Sequence, residues 1–287
     1  MWRPDALGAQ PLESRGGKLL TVAAVIAATG ALTAFAGTAN AVAAEPECQV
    51  RSMPSLVESA TTSSVADIVE VSCEDSQAGN TVEVSSLELY EHCRNSMKWS
   101  APYPYKPVKG AHYKVTLDDV GNATAVLWAG PSCAAGEVLI TAHLLASSTT
   151  RVTSFTVLPP ETMAPGLYVL PAGQVEDSLH SGVATLLQVA YAPGYADQPI
   201  TITAPAMPRR CGQVPHVVWV GAEAKTLSKG KESITNLQLD NDGNVFVVLL
   251  GGPSCVPGES LIAATLESSP FYTYTAAFTI LPPQPRI

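Results

Sequence analysis

With 287 residues, the chain is long enough for two ordinary domains, each with its own core. A hydrophobic content of 46% against 14% charged residues excludes a chain too polar to fold. A formal charge of −9 argues against nucleic acid and anionic lipid as partners, because most of the surface would repel them.

Arg15 and Lys18 precede an apolar run from Leu19 to Ala36, and Ala39-Asn40-Ala41 and Ala41-Val42-Ala43 follow. A basic start, an apolar centre and small residues at Ala-x-Ala sites predict a secretory signal peptide over 1–43, cut after Ala41 or Ala43. The run also has the length to stay as an uncleaved anchor. Removing residues 1 to 41 takes away three basic and two acidic residues, which shifts the charge by one unit to −10. No other stretch reaches membrane-spanning length, so release outside the cell is expected. Two domains then follow, 44–160 and 161–287.

Both domains are built on one duplicated stretch. Leu117 to Leu144 and Leu239 to Leu266 align without a gap, and 16 of 28 positions are identical. The shared kernel is Leu-Asp-x-x-Gly-Asn, an apolar run, Gly-Pro-Ser-Cys-x-x-Gly-Glu and a second apolar run, which reads as strand, turn, strand, turn, strand. Ahead of it, Ser64 to Cys93 aligns on Gly182 to Cys211 at an offset of 118. Residues 65–71 and 183–189 predict a buried strand, and residues 81–85 and 199–203 alternate as a half-exposed strand does. Each copy then reaches a cysteine, Cys93 or Cys211, and a tryptophan, Trp99 or Trp219. Here the copies diverge: the first has a Pro-Tyr loop from Ala101 to Pro107, the second a Lys-Gly-Lys loop from Lys229 to Lys231. Gly121 and Gly243 suit a tight turn that needs positive φ. The last strands, 152–158 and 274–281, run into Leu-Pro-Pro, which ends a sheet because proline cannot donate to a ladder. Residues 159–166 form the predicted linker, short and fairly stiff.

Six cysteines in an exported chain predict three disulfides. Cys93 and Cys133 have counterparts in Cys211 and Cys255, so each copy keeps one pair. Cys48 and Cys73 are both missing from the second copy, where Tyr191 stands at the place of Cys73, and joint absence predicts that they bond to each other. No pair has the spacing of a zinc knuckle, so neither a metal nor a cofactor is expected.

Each copy has about 115 residues, seven or eight predicted strands and no helical period, the pattern of an all-β fold of two tandem Greek-key immunoglobulin-like β-sandwiches. The chain resembles the bacterial immunoglobulin-like modules of secreted and surface proteins, particularly those of high-GC Gram-positive bacteria. The resemblance rests on the tandem repeat and on a cysteine pair 40 or 44 residues apart with a tryptophan six or eight residues after its first member. Antibody-type domains space these residues more widely, so their cysteines need not lie on the same strands. The resemblance implies a binding or spacer role and carries over no catalytic residue.

Residue constellations for catalysis are weak. His92, His112, His143, His180 and His216 share no spacing, and Gly-Pro-Ser-Cys is not the Gly-x-Ser-x-Gly of a nucleophile elbow. Ser228 to Lys231 matches Ser-x-x-Lys but sits in a polar loop. Asp240-Asn241-Asp242-Gly243-Asn244 resembles part of a calcium loop, yet the twelfth position is Gly251 rather than a glutamate, and a hairpin turn accounts for it better. Glu137 and Glu259 have no partner acid in the kernel. The candidate ligand-binding residues are Tyr103 and Tyr105, rings on a proline-stiffened loop that offer contact area at little entropic cost; the alternative is that they cover the end of the sandwich. Phe271 to Tyr274 alternates and puts Tyr272 and Tyr274 on one face, read mainly as core. The expected function is a non-enzymatic secreted module for adhesion, ligand binding or assembly. Its expected partner is an extracellular protein or a cell-wall or polysaccharide ligand. The alternatives are a carbohydrate or cell-wall binding module and an inhibitor of an extracellular hydrolase.

Overall fold

A computed structural model describes residues 48–53, 56–58, 65–102, 104–130, 133–158, 164–170, 174–176, 183–211, 217–221, 225–251 and 255–281. The signal-peptide reading and Tyr103 lie outside the described residues. Among the described residues no helix is long and apolar enough to cross a membrane.

The first copy begins with β1 (Cys48–Met53), β2 (Leu56–Glu58), β3 (Val65–Cys73) and β4 (Thr81–Ser85), then α1 (Leu87–His92). It continues with β5 (Lys98–Ser100), β6 (Val108–Lys109), β7 (His112–Thr116), β8 (Asn122–Ala129), β9 (Gly136–Leu144) and β10 (Thr149–Leu158). One sheet has the order β1-β3-β8-β5-β6 and the other β2-β10-β9-β4-β7. The second copy repeats this with β11 (Gly166–Leu170), β12 (Gln174–Glu176), β13 (Val183–Ala190), β14 (Pro199–Thr203) and α2 (Met207–Arg210). Then come β15 (Val217–Gly221), β16 (Lys225–Lys229), β17 (Ser233–Gln238), β18 (Asn244–Gly251), β19 (Gly258–Leu266) and β20 (Thr273–Leu281). Its sheets run β11-β13-β18-β15-β16 and β12-β20-β19-β14-β17, the same order strand for strand. The pairings are antiparallel except β2 with β10 and β12 with β20.

The fold is therefore a pair of immunoglobulin-like sandwiches with a rerouted middle. From β4 the chain first crosses to the other sheet through α1 and β5, and only then returns to pair β7 beside β4. Three expectations need correcting. Among the described residues ten strands per copy replace seven or eight, because two- and three-residue strands such as β6 and β2 are too short to show a period. A helix precedes each of Cys93 and Cys211. In α1 the Ser86 hydroxyl accepts from the Leu89 amide at 3.4 Å, a cap that starts a turn too short to print a helical repeat. The Lys-Gly-Lys segment also begins inside β16 rather than in a loop.

Disulfides Cys93–Cys133 and Cys211–Cys255 tie the end of each helix to the turn after β8 or β18, and Cys48–Cys73 joins directly opposed residues of β1 and β3. Each sandwich encloses its own core, centred on Trp99 in one copy and Trp219 in the other, both fully buried. A third apolar cluster lies between the copies. Ala66, Ile68, Val126 and Trp128 of the first pack with Leu186, Val220, Phe246 and Val248 of the second. These side chains point away from their own sandwich interiors, so β3, β8, β13 and β18 are covered on both faces. Runs such as Ala125-Val126-Leu127-Trp128-Ala129 follow from that double cover. Each large side chain buried there contributes about 1.5 to 3 kcal/mol, which holds the two sandwiches as one compact body over Ala44–Ile287.

Candidate functional site

The repeated Asp-x-x-Gly-Asn segment is a structural turn. The Asp118 carboxylate accepts from the amides of Val120 and Asn122 at 3.1 and 2.7 Å, and Asp240 does the same for Asp242 and Asn244 at 2.9 and 2.8 Å. Gly121 and Gly243 have φ of +77° and +82°. A Cβ on Gly121 would stand 2.4 Å from the Cys73 carbonyl oxygen, and one on Gly243 2.5 Å from that of Tyr191. Positive φ and this close approach both demand glycine. Each turn thus packs on the end of β3 or β13, with carboxylates spent on backbone amides rather than arranged around a cation. Among the described residues no three His, Cys, Asp or Glu side chains come together as a metal site. His112 stands 3.3 Å from Glu83 and His143 shares a hydrogen bond with Thr150; His180 and His216 lie outside the described residues.

The Pro-Tyr loop is held from below. Tyr113 accepts from the Ala101 amide at 2.9 Å, and the Lys106 amide donates to Ser100 Oγ at 2.9 Å. Beside the loop opens a cleft of about 750 Å³ whose walls include Ala101, Pro104, Tyr113 and Lys114. Tyr105 does not face it. Its ring meets Trp128 edge-on at 5.6 Å and joins the apolar cluster between the copies, and burial pushes its phenol above the usual range. Tyr113, which sequence reasoning did not single out, stacks parallel to Trp99 at 6.5 Å, and burial raises its phenol too. Its signal was its place on the inward side of an alternating strand.

A second group of rings converges at one end of the second copy. Tyr191, just past β13, is fully buried, and its hydroxyl donates to the Tyr272 carbonyl at 2.8 Å and that of Ala264 at 3.3 Å. Its ring lies 4.9 Å from Tyr274 and 6.0 Å from Tyr195, and Tyr195 lies 5.6 Å from Tyr272. Burial first, and then the neighbouring Tyr274, push the Tyr191 phenol up to about 12. The Tyr195 phenol is also raised, chiefly by its hydrogen bond with Tyr272. Tyr195 comes from the single turn Pro193–Tyr195, and Tyr272 from the tight β19–β20 connection, where its amide donates to the Ser269 carbonyl at 3.0 Å. Next to them Phe271 is 97% exposed and Tyr272 47% exposed. The outer layer, Phe271, Tyr272 and Tyr195, is thus an aromatic face standing on a buried tyrosine. Two separated segments build it, so the local alternation of residues 271 to 274 revealed only half of it.

No family model matches the chain, and no curated protein does. Among solved structures it is similar to the adhesin InvE of Yersinia pseudotuberculosis, at 16% identity over 82% of this chain and 60% of that one, with a TM-score of 0.28. It is also similar to invasin, a bacterial integrin-binding protein, at 14% identity over 82% of this chain and 40% of that one, with a TM-score of 0.28. Domains 4–9 of the surface layer protein SbsC give 13% identity over 83% of this chain and 32% of that one, with a TM-score of 0.36. The chain spans about three-fifths of InvE.

Proposed function

We propose that the chain is a non-enzymatic extracellular binding module of the adhesion type, and that the aromatic face of the second copy is where it meets its ligand. The observation that carries this reading is Phe271, 97% exposed beside the half-exposed Tyr272. A large ring held in water by a proline-stiffened turn costs solubility and gives the monomer nothing, and clustered exposed apolar surface marks contact sites. Three disulfides support an oxidising, extracellular setting. The packed pair of sandwiches supports the role of a rigid carrier for a loop-borne surface.

Surface retention tests it. The oxidised chain without residues 1–43 is incubated with cells and with isolated cell walls, next to a triple variant carrying Tyr195→Ala, Phe271→Ala and Tyr272→Ala. Retention of the native chain and release of the variant are expected. Equal retention of the two, or of neither, removes the reading.

A further inference from the structure

We propose that the aromatic face of Tyr195, Phe271 and Tyr272 takes a neutral polysaccharide, with the rings stacking on the apolar faces of sugar residues. This rests on the reading of that face as the binding surface and adds the chemical class of its occupant.

The duplication provides an internal control for what the fold needs at this place. In the first copy the positions of Tyr191, Tyr195, Tyr272 and Tyr274 are held by Cys73, Gln77, Thr149 and Arg151, and the β9–β10 turn is one residue shorter than the β19–β20 turn that carries Phe271. The turns after β3 and β13 are alike: Gln77 and Tyr195 close the same single turn, their amides donating to Glu74 and Ala192 at 2.9 Å each. A sandwich end of this shape therefore forms without one aromatic side chain. Tyr191 and Tyr274 do the work of packing in the second copy, since Tyr191 is 1% exposed. Packing leaves Phe271 and the outer side of Tyr272 unaccounted for.

The chemistry of the face separates its possible occupants. A bilayer surface is met by apolar and aromatic side chains flanked by cations, whereas here the flanking charges are Asp197 and Glu267 in a chain of formal charge −9. The same acids disfavour an anionic polymer. Ser268, Ser269 and Thr273 flank Phe271 and Tyr272 in the sequence. A phenyl ring and two phenols with a rim of hydroxyls and carboxylates match a molecule that is apolar on its faces and hydroxylated at its edges. The rim is also preorganised. Glu267 accepts from Thr201 Oγ1 at 2.7 Å and from the Asn236 amide at 3.0 Å, and Thr273 Oγ1 donates to the Pro270 carbonyl at 2.9 Å. Pro270 and the hydrogen bonds of the turn fix the backbone that carries Phe271 and Tyr272, so little backbone freedom is lost on binding.

Native affinity electrophoresis of the oxidised chain, in gels containing a soluble β-glucan, mannan, xylan or arabinogalactan, with alginate as the anionic control, reads this directly. At least one neutral polymer is expected to retard the native chain while alginate does not. Tyr272→Ala and Phe271→Ala should each weaken the retardation roughly tenfold, the size of one ring stack, Phe271→Ala at unchanged melting temperature and Tyr272→Ala with a small drop from the lost contact with Tyr195. Tyr272→Phe should keep most of it. Retardation by alginate alone, by no polymer, or equally in the alanine variants overturns the proposal. If the chain is retained on cells through this face but no neutral polymer competes, the adhesion reading stands and the polysaccharide falls.

Discussion

The two copies fold alike but close one end by different chemistry, and position 73 against position 191 shows how. In the first copy Cys73 bonds to Cys48 across β1 and β3, and the Arg151 guanidinium donates to the Cys48 carbonyl at 3.1 Å. In the second copy Tyr191 fills that place, and its hydroxyl reaches the backbone of β19 and of the turn before β20. Both solutions pin the end of the same strand beneath the same glycine turn, since Gly121 approaches Cys73 as Gly243 approaches Tyr191. A covalent staple acts mainly on the unfolded chain, whereas a buried ring acts through packing and a satisfied hydroxyl in the folded one. The staple leaves its surroundings small and polar. The ring recruits further rings, and the outermost are left in water.

The sharpest way to break the comparison is Tyr191→Ala, which removes a buried ring from under three others and should cost about 3 to 5 kcal/mol. Urea unfolding measures the loss, and hydrogen exchange should place it in β13, β19 and β20. The double variant Cys48→Ala with Cys73→Ala should cost about 3 to 4 kcal/mol from the freed loop, with lost exchange protection confined to β1 and β3. If the losses of the two variants fell in the same strands, the two ends would not be independent devices.

Much of this architecture was legible. The duplicated kernel identified the turn glycines, and joint absence of Cys48 and Cys73 from the second copy singled them out as a pair. The apolar runs of β8 and β18 were read as strands, but their missing alternation carried more: a strand apolar on both sides needs a second cover, here the other copy. Tyr105 looked like a loop ring available for binding because its partner Trp128 belongs to that cover, which no local pattern reveals. The aromatic face was hidden for a related reason. Tyr191 and the Tyr272 carbonyl it bonds are 81 residues apart, and only the fold brings their segments together. The short helices carry no periodic signal at all.

A subtler contrast lies inside the two cores. Asp67 of β3 is fully buried, its carboxylate 2.6 Å from Ser52 Oγ and 2.8 Å from the Ile68 amide. The second copy has Thr185 there, donating to the Leu170 carbonyl. Burial raises Asp67 from 3.8 to about 8, against the lowering effect of those hydrogen bonds. A carboxyl whose folded value lies above its unfolded one keeps its proton longer in the folded state. Its contribution to stability is therefore greatest below about pH 4 and is lost as pH rises toward 8. Between those limits the native chain should lose on the order of 1 kcal/mol per pH unit, about 4 kcal/mol over the four units. Asp67→Thr should flatten that slope and raise the melting temperature at pH 8. An unchanged slope in the variant would assign the pH dependence elsewhere.

The smallest expected effect on stability belongs to a residue whose loss should weaken binding as much as any other. Phe271 is 97% exposed, so its ring adds almost no buried area to the fold. Phe271→Ser should therefore change stability by no more than about 0.5 kcal/mol, while Tyr274→Ser, one step inward and 4.9 Å from Tyr191, should cost several times that. Urea unfolding of both variants separates a ring kept for packing from one kept for contact. Should Phe271→Ser prove as destabilising as Tyr274→Ser, the outer ring would belong to the core after all, and the face would lose its claim to be a surface made for a ligand.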